Sequence, residues 1–430
     1  MNTIIGRAGI SEASGARHLV VAATIGNALE FFDFTVYGFF AILIGQLFFP
    51  GMSSFGQLLA SVSTFGVGFL MRPLGGVVIG AYADRVSRKA AMSLTIFLMA
   101  VGCAMIGCAP TYAQIGVMAP VLVVLARLVQ GFSAGGEVGA STTLLIERAA
   151  VRHRGFLGSW QFASQGLGIA AGAALSATLY FVLSPEDLRS WGWRLPFLAG
   201  ILIAPIGFVI RQRLEEHSVA PPSDAQAPFV TVAVEHWRAA TVGTVLTIGT
   251  TVAAYVTTFY MPTYAIRELK LGAPVALLAA FVSGVAIFVI SPIAGALSDR
   301  FGRKRLILWP RLVMALVIYP AFVWLTNSPG TVSLLITVGG LSALLALQGA
   351  PGIALLPELF PKPIRVSGMA IVYSIGVAIF GGFAQTVALW LIHVTGSKLA
   401  PAWYLTFCVL LSCLALPFIR ETAGADIDAS

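Results

Sequence analysis

The sequence predicts an all-α polytopic membrane protein, with twelve transmembrane helices in two six-helix halves. Three observations lead to that class. Hydrophobic side chains make up 58% of the 430 residues and charged ones only 10%, too few polar groups to cover a soluble globule of this size. Apolar runs of about twenty residues, the length that crosses a bilayer core, recur along the chain. Finally, Gly80-Ala-Tyr-Ala-Asp84-Arg85-Val-Ser87-Arg88-Lys89 returns half a chain length later as Gly295-Ala-Leu-Ser-Asp299-Arg300-Phe-Gly302-Arg303-Lys304, with six of the ten residues unchanged. Each copy is a short basic turn after the second helix of its half, as expected where one membrane half is used twice.

The helices of the first half are expected near residues 19–47, 55–79, 90–109, 115–146, 156–183 and 195–211. Those of the second are expected near 239–264, 274–297, 306–325, 332–356, 366–392 and 402–419. The chain thus divides into an N-terminal half (1–211), a charged linker (212–238) carrying Pro221, Pro222 and Pro228, and a C-terminal half (239–430). The fourth run is longer than a bilayer needs, so it tilts or projects beyond the membrane. The acidic, small-residue tail from Glu421 reads as disordered. Eighteen Lys and Arg residues fall in loops on one side and five on the other, which by the positive-inside rule places the first side, with both termini, in the cytoplasm. That asymmetry accounts for the net charge of +8, so no nucleic-acid partner is expected. Cys103, Cys108, Cys408 and Cys413 sit in apolar runs without metal-ligand spacing. They read as small buried hydrophobes, and no metal, cofactor or disulfide framework is implied. No cleavage-type signal accompanies the first apolar run, so no segment is expected to be removed.

Three arginines, Arg72, Arg127 and Arg311, remain within or at the ends of membrane segments. The first helix carries Gly26-Asn27-Ala-Leu-Glu30-Phe-Phe-Asp33-Phe-Thr-Val-Tyr37, in which Asn27, Glu30, Asp33 and Tyr37 share an arc of about 120°. Carboxylates at membrane depth are costly and mark cavities that take up protons or hold a ligand. If that end of the helix lies at the membrane surface, the same acids are merely solvated. The second helix ends in Met71-Arg72-Pro73-Leu-Gly75-Gly76, and Arg72 has no counterpart in the second half, where the offset falls on Ile287. It is expected to pair with Asp33 or Glu30, as part of a site or as a structural ion pair.

The fourth helix sets Arg127, Gln130 and Glu137 within about 80° of one another. Gly131, Gly135 and Gly139, four apart, allow close backbone approach to a neighbour. A buried guanidinium needs an anionic partner, either a protein acid or a substrate carboxylate, which it matches with two hydrogen bonds. In the fifth helix Gln161, Ser164 and Gln165 lie within one turn and serve either ligand oxygens or neighbouring helices. The second half offers mostly neutral groups: Tyr255, Tyr260, Gln348, Tyr373, Gln385 and His393, the last at the outer interface. Arg311 follows the basic turn by six residues and is expected to snorkel to the cytoplasmic surface. Substrate contacts are accordingly assigned to Arg127, Gln130, Asn27, Tyr37, Gln161 and Gln165, and proton coupling to Asp33, Glu137 and Glu30.

The doubled Gly-x-x-x-Asp-Arg-x-Gly-Arg-Lys turn resembles the signature loop of the major facilitator superfamily, the first copy departing at Ser87 where the pattern has Gly. Gly26-Asn27-Ala-Leu-Glu30-Phe-Phe-Asp33-Phe34, Arg72-Pro73-Leu-Gly75 and the stretch from Arg127 to Glu137 are together similar to its metabolite:proton symporter family. Members of that family import organic acids and zwitterions with protons through the bacterial inner membrane. Ser159-Trp160-Gln161-x-Ala163-Ser164-Gln165 is similar to the citrate and tricarballylate transporters. The resemblance implies alternating access around a central cavity and a cytoplasmic gate, to which Asp84, Arg85, Arg88, Asp299, Arg300 and Arg303 are assigned. A monomer in the lipid bilayer is expected.

The expectation is therefore a secondary active transporter that imports a tricarboxylate such as citrate or tricarballylate by proton symport. A proton taken by Asp33 or Glu137 frees Arg127 for a substrate carboxylate. Each proton also offsets one charge moved against a negative-inside potential, about 2.3 kcal/mol per 100 mV. Symport of a dicarboxylate, a shikimate-like acid or a betaine is an alternative, and so is proton-antiport export. A nutrient sensor is a third, although the short ends offer no signalling domain. No enzyme is expected, since the chain has no HExxH, no metal spacing, no nucleophile-base pair and no phosphate loop.

Overall fold

The computed structural model describes residues 2–85, 88–212 and 228–427. Within these, side chains are described except at 2–19, 80–81, 83–85, 88–89, 202–204, 206–208, 210–212 and 228–230. The first bundle contains α1 (Asn2–Phe39, then Ala41–Phe48), α2 (Ser54–Phe69, then Arg72–Arg85), α3 (Arg88–Gly107), α4 (Met118–Gly135, then Glu137–Arg148), α5 (Arg154–Val182) and α6 (Leu195–Gln212). The second contains α7 (Trp237–Ala254, a π-helical Tyr255–Tyr260, then Met261–Arg267), α8 (Ala273–Phe301), α9 (Arg303–Asn327) and α10 (Thr331–Glu358). It is completed by α11 (Arg365–Ile375, a π-helical Gly376–Gly381, then Ala384–Thr395) and α12 (Ala400–Cys413). Among the described residues ten helices are long and apolar enough to cross a membrane, and the two parts of α1, bent by 65°, make an eleventh span. The 18-residue α6 takes the twelfth place.

The apolar surface is sorted as a bilayer demands. On α9, Trp309, Val313, Leu316 and Val317 are exposed, while Ile307, Pro310, Arg311, Met314 and Ile318 on the opposite face are buried. Besides α1, two more helices expected to be continuous are broken. α2 stops at Phe69 and restarts at Arg72, with Pro73 in the new first turn, where its missing N–H is no loss. α4 is interrupted at Gly136, so Glu137 opens a new segment.

The bundles meet through α5 and α8, where Gly166 and Gly284 abut; a Cβ on Gly166 would lie 2.6 Å from the Gly284 carbonyl. On one side of the membrane, Gly66 of α2 lies against the Gly382 carbonyl and Phe55 stacks on His393 with ring centroids 4.0 Å apart. On the other, Glu147 of α4 pairs with Arg365 of α11 at 3.5 Å. The bundles therefore touch on both sides of the membrane.

Residues 421–427 of the tail are packed against the bundles, contrary to the sequence expectation. Glu421 accepts hydrogen bonds from the backbone N–H of Arg303 (2.8 Å) and Lys304 (3.1 Å), capping the N-terminus of α9, where a carboxylate is favoured. Arg154 donates to the Ala425 carbonyl at 3.0 Å and Arg365 to that of Ile427 at 3.2 Å, while Ile427 is buried against Ile146 and Ala354. The short acidic composition concealed a cap and an apolar anchor that straps the two bundles together. Glu421→Ala is expected to cost about 1 kcal/mol of stability and to speed hydrogen exchange across 421–427. Unchanged exchange would show that other contacts hold the tail.

Candidate functional site

Glycine spacing on α4 builds the site. The Gly68 carbonyl of α2 lies against Gly131, and the Arg72 carbonyl against Gly135, so closely that a Cβ at either glycine would overlap them. This contact fixes Arg72 of α2 and Arg127 of α4 where both reach α1. Gly131→Val should push the helices apart at a cost of about 3 kcal/mol, visible as a lowered melting temperature and loss of monodisperse protein. A variant as stable as the parent would contradict the packing.

Arg72 pairs with Glu30 and stacks over Phe69, its Cζ 4.3 Å from the ring centroid. Arg127 donates to Asp33 Oδ2 at 2.7 Å and lies 3.8 Å above the Tyr37 ring. All four charged groups are at most 2% exposed. The second oxygen of Asp33 accepts from Cys103 Sγ at 3.4 Å, and Gln130 Nε2 donates to the same sulfur at 3.5 Å. Each pair leaves donors over: Arg72 Nε and Nη1, and Arg127 Nε and Nη2, have no protein partner, nor does Glu30 Oε2.

Between the bundles lies a cavity of about 40 Å³. Phe31, Phe162 and Gln165 line it from the first bundle, and Thr250, Tyr255 and Tyr373 are among its lining residues from the second. Arg72 acts electrostatically on Tyr255 and Tyr373, and Arg72 and Gln165 both face the Tyr373 hydroxyl. Gln165 Nε2 and the Tyr255 hydroxyl have no protein partner either. A second, smaller space of about 10 Å³ lies inside the first bundle, bordered by Cys103 and by Glu137, whose Oε2 accepts from Thr95 at 3.2 Å.

Of the six residues assigned to substrate from sequence, Gln165 lines the cavity between the bundles. Arg127 and Tyr37 sit with Asp33, with Phe34 and Phe65 packed between this group and the Tyr255 side, and Tyr37 donates to the Ser61 carbonyl at 3.1 Å. Asn27 donates to the Gln161 carbonyl and to Ser164 Oγ, each at 2.8 Å, and Gln161 Oε1 accepts from Ser141 at 3.3 Å, a brace between α1, α4 and α5. Sequence reasoning left Arg72, Tyr255, Tyr373 and Thr250 outside the substrate set. The signal was present in the break at Arg72-Pro73 and in the arginine missing from the second half. Cys103, expected to be merely hydrophobic, contacts Asp33, and Cys108 is exposed.

Arg311 corrects a further expectation. It does not snorkel but is fully buried, because its face of α9 points inward. Of the assigned gate residues, Asp299 accepts from the backbone N–H of Gly155 (2.8 Å) and Phe156 (2.9 Å) at the start of α5, joining the bundles. Arg303 donates to Asp299 Oδ1 at 2.9 Å and pairs with Glu358 at 3.3 Å. Arg300 is exposed. The side chains of Asp84, Arg85 and Arg88 lie outside the described residues. Gly302, at φ 98°, takes a backbone conformation that favours glycine.

A family model described as Sugar (and other) transporter matches residues 19–218, and the Major Facilitator Superfamily model matches residues 246–426. The chain is 37% identical over 430 residues to the citrate-proton symporter of Klebsiella pneumoniae, covering 98% of this chain and 96% of that one. It is 32% identical over 427 residues to the proline/betaine transporter of Escherichia coli (strain K12), covering 96% and 85%. The structure of the proton:xylose symporter XylE bound to 6-bromo-6-deoxy-D-glucose has the same fold, with a TM-score of 0.79 at 18% identity and coverage of 97% and 98%. Relatives and fold alike are those of membrane transporters, not enzymes. With two bundles of six helices around a central cavity and near-full-length similarity to these carriers, the chain belongs to the major facilitator superfamily, on the branch of its proton symporters that includes the citrate-proton symporters.

Proposed function

We propose that the protein imports a small organic acid, a tricarboxylate such as citrate or tricarballylate, by proton symport through the bacterial inner membrane, with both termini cytoplasmic. The observation that carries this reading is the donor-rich cavity. Gln165 Nε2 and the Tyr255 hydroxyl belong to its lining and have no hydrogen-bond partner, and Arg72, next to the lining residues Tyr255 and Tyr373, leaves Nε and Nη1 unpartnered, as an anionic ligand requires. The citrate-proton symporters at 37% identity support the same class. In this account Arg72 holds a substrate carboxylate on the first-bundle wall. Asp33 takes the proton, which releases Arg127 from its pair and loosens α1 against α4. The space between Cys103 and Glu137 carries the proton onward to the cytoplasmic side. Inward opening breaks the Asp299 contacts with Gly155 and Phe156 and the Glu147–Arg365 pair.

One observation favours a second reading, symport of a betaine-like zwitterion. Glu30 Oε2 has no protein partner, and Phe31, Tyr255 and Tyr373 supply aromatic faces for a quaternary ammonium. Calorimetric titration of the purified protein with citrate, tricarballylate, 2-oxoglutarate and glycine betaine separates the two. Binding of a tricarboxylate, lost in Arg72→Gln, is the expected result; heat with glycine betaine alone would replace the first reading by the second.

A further inference from the structure

Arg311 is the one intramembrane arginine among the described residues that no carboxylate neutralises. Its Nε donates to Gln348 Oε1 at 2.6 Å and its Nη1 to Ser412 Oγ at 3.0 Å. Its Nη2 donates to Thr250 Oγ1 at 2.6 Å and to the Leu246 carbonyl at 3.2 Å. All these acceptors are neutral, and the titratable neighbour acting on it is the Cys413 thiol. Hydrogen bonds to neutral groups satisfy the geometry of a guanidinium without cancelling its charge, and an uncancelled charge at membrane depth is costly unless something compensates it. Leu246 and Thr250, which accept from Nη2, also line the cavity between the bundles. The Thr250 hydroxyl accepts from Arg311, so its own proton is available to a ligand oxygen, and the donation is strengthened by the cation behind it.

We infer that Thr250, backed by Arg311, forms a second anion subsite on the α7 wall of the cavity, which selects substrates with more than one carboxylate. The inference rests on the tricarboxylate reading above and deepens it. Arg72 receives one carboxylate at the first bundle, where Glu30 already balances its charge. The Thr250 wall carries a net positive charge and receives another. Thr250 and Tyr255 are five residues apart, about 7 Å along a helix axis, a separation that suits a short polycarboxylate. A zwitterion, whose cationic end the Arg311 charge repels, gains nothing there.

The test measures affinities of the purified full-length protein for butyrate, glutarate, tricarballylate and glycine betaine, in the parent and in Arg311→Gln and Thr250→Val. In the parent, affinity should rise with the number of carboxylates. Arg311→Gln should lower tricarballylate affinity about tenfold, bring it close to that of glutarate, and leave butyrate within about twofold. Thr250→Val keeps the other Arg311 bonds and should give the same pattern more weakly; it carries the test if Arg311→Gln does not fold. Tricarballylate affinity unchanged in folded Arg311→Gln, or an equal loss for all acids in Thr250→Val, overturns the subsite while leaving the tricarboxylate reading intact. A parent that binds only glycine betaine overturns both.

Discussion

Replacing Arg72 by Gln should abolish tricarboxylate uptake, with a loss of about 100-fold or more. The size follows from two effects. The guanidinium is fully buried with Nε and Nη1 unpartnered, so in this account its removal deletes a charge-assisted, two-pronged contact. It also strands Glu30 without its partner, and an orphaned buried carboxylate repels the anion that should enter. Because breaking a buried pair costs about 3–5 kcal/mol of stability, two companions are needed. Arg72→Lys keeps the charge but not the planar fork, and should retain weak uptake at a raised KM. The double variant Arg72→Gln with Glu30→Gln should recover stability without recovering transport. Uptake of radiolabelled citrate and tricarballylate into proteoliposomes, with melting temperatures measured in parallel, decides the matter. Transport by the double variant at the parental rate would remove Arg72 from substrate recognition.

Asp33→Asn should separate exchange from accumulation. An amide cannot carry a proton, so the step by which protonation releases Arg127 is lost. The carrier should still exchange internal for external substrate while failing to concentrate it against a gradient. Parental uptake should rise as external pH falls, since the proton is a co-substrate, and the Asp33→Asn exchange rate should be nearly flat with pH. The substitution leaves Arg127 buried opposite a neutral group, so some destabilisation is expected. Arg127→Gln in the same background should relieve it, giving a coupling free energy measurable by a double-mutant cycle. If Asp33→Asn still accumulates substrate at the parental level, the proton travels elsewhere, and Glu137→Gln becomes the next variant to assay.

The architecture was legible because bilayer length and hydropathy leave few choices, and because a charged turn repeated at half the chain length exposes the duplication. The glycine ladder on α4 was legible too, since Gly131 and Gly135 contact α2 at the spacing that small-residue packing demands. Partnership was not. Face arithmetic placed Asn27, Glu30, Asp33 and Tyr37 on one stripe of α1, yet these residues turn to three neighbours: Asn27 to α5, Glu30 and Tyr37 to α2, and Asp33 to α4. A helical wheel assigns an arc, and only tertiary packing assigns the helix that meets it. Arg311 misled through its nearness to the basic turn; the exposed apolar residues Trp309, Val313 and Leu316 on the opposite face of α9 carried the better signal. The tail misled because composition does not reveal that Glu421 can cap the exposed N-terminus of α9.

The most direct measurement uses the purified protein in liposomes with a pH-sensitive dye inside, and adds tricarballylate or citrate outside without any other gradient. The account predicts internal acidification on adding the tricarboxylate, absent in Arg72→Gln and absent in Asp33→Asn. Internal alkalinisation would indicate antiport, and acidification seen only with glycine betaine would assign the cavity to zwitterions; either result contradicts tricarboxylate-proton symport.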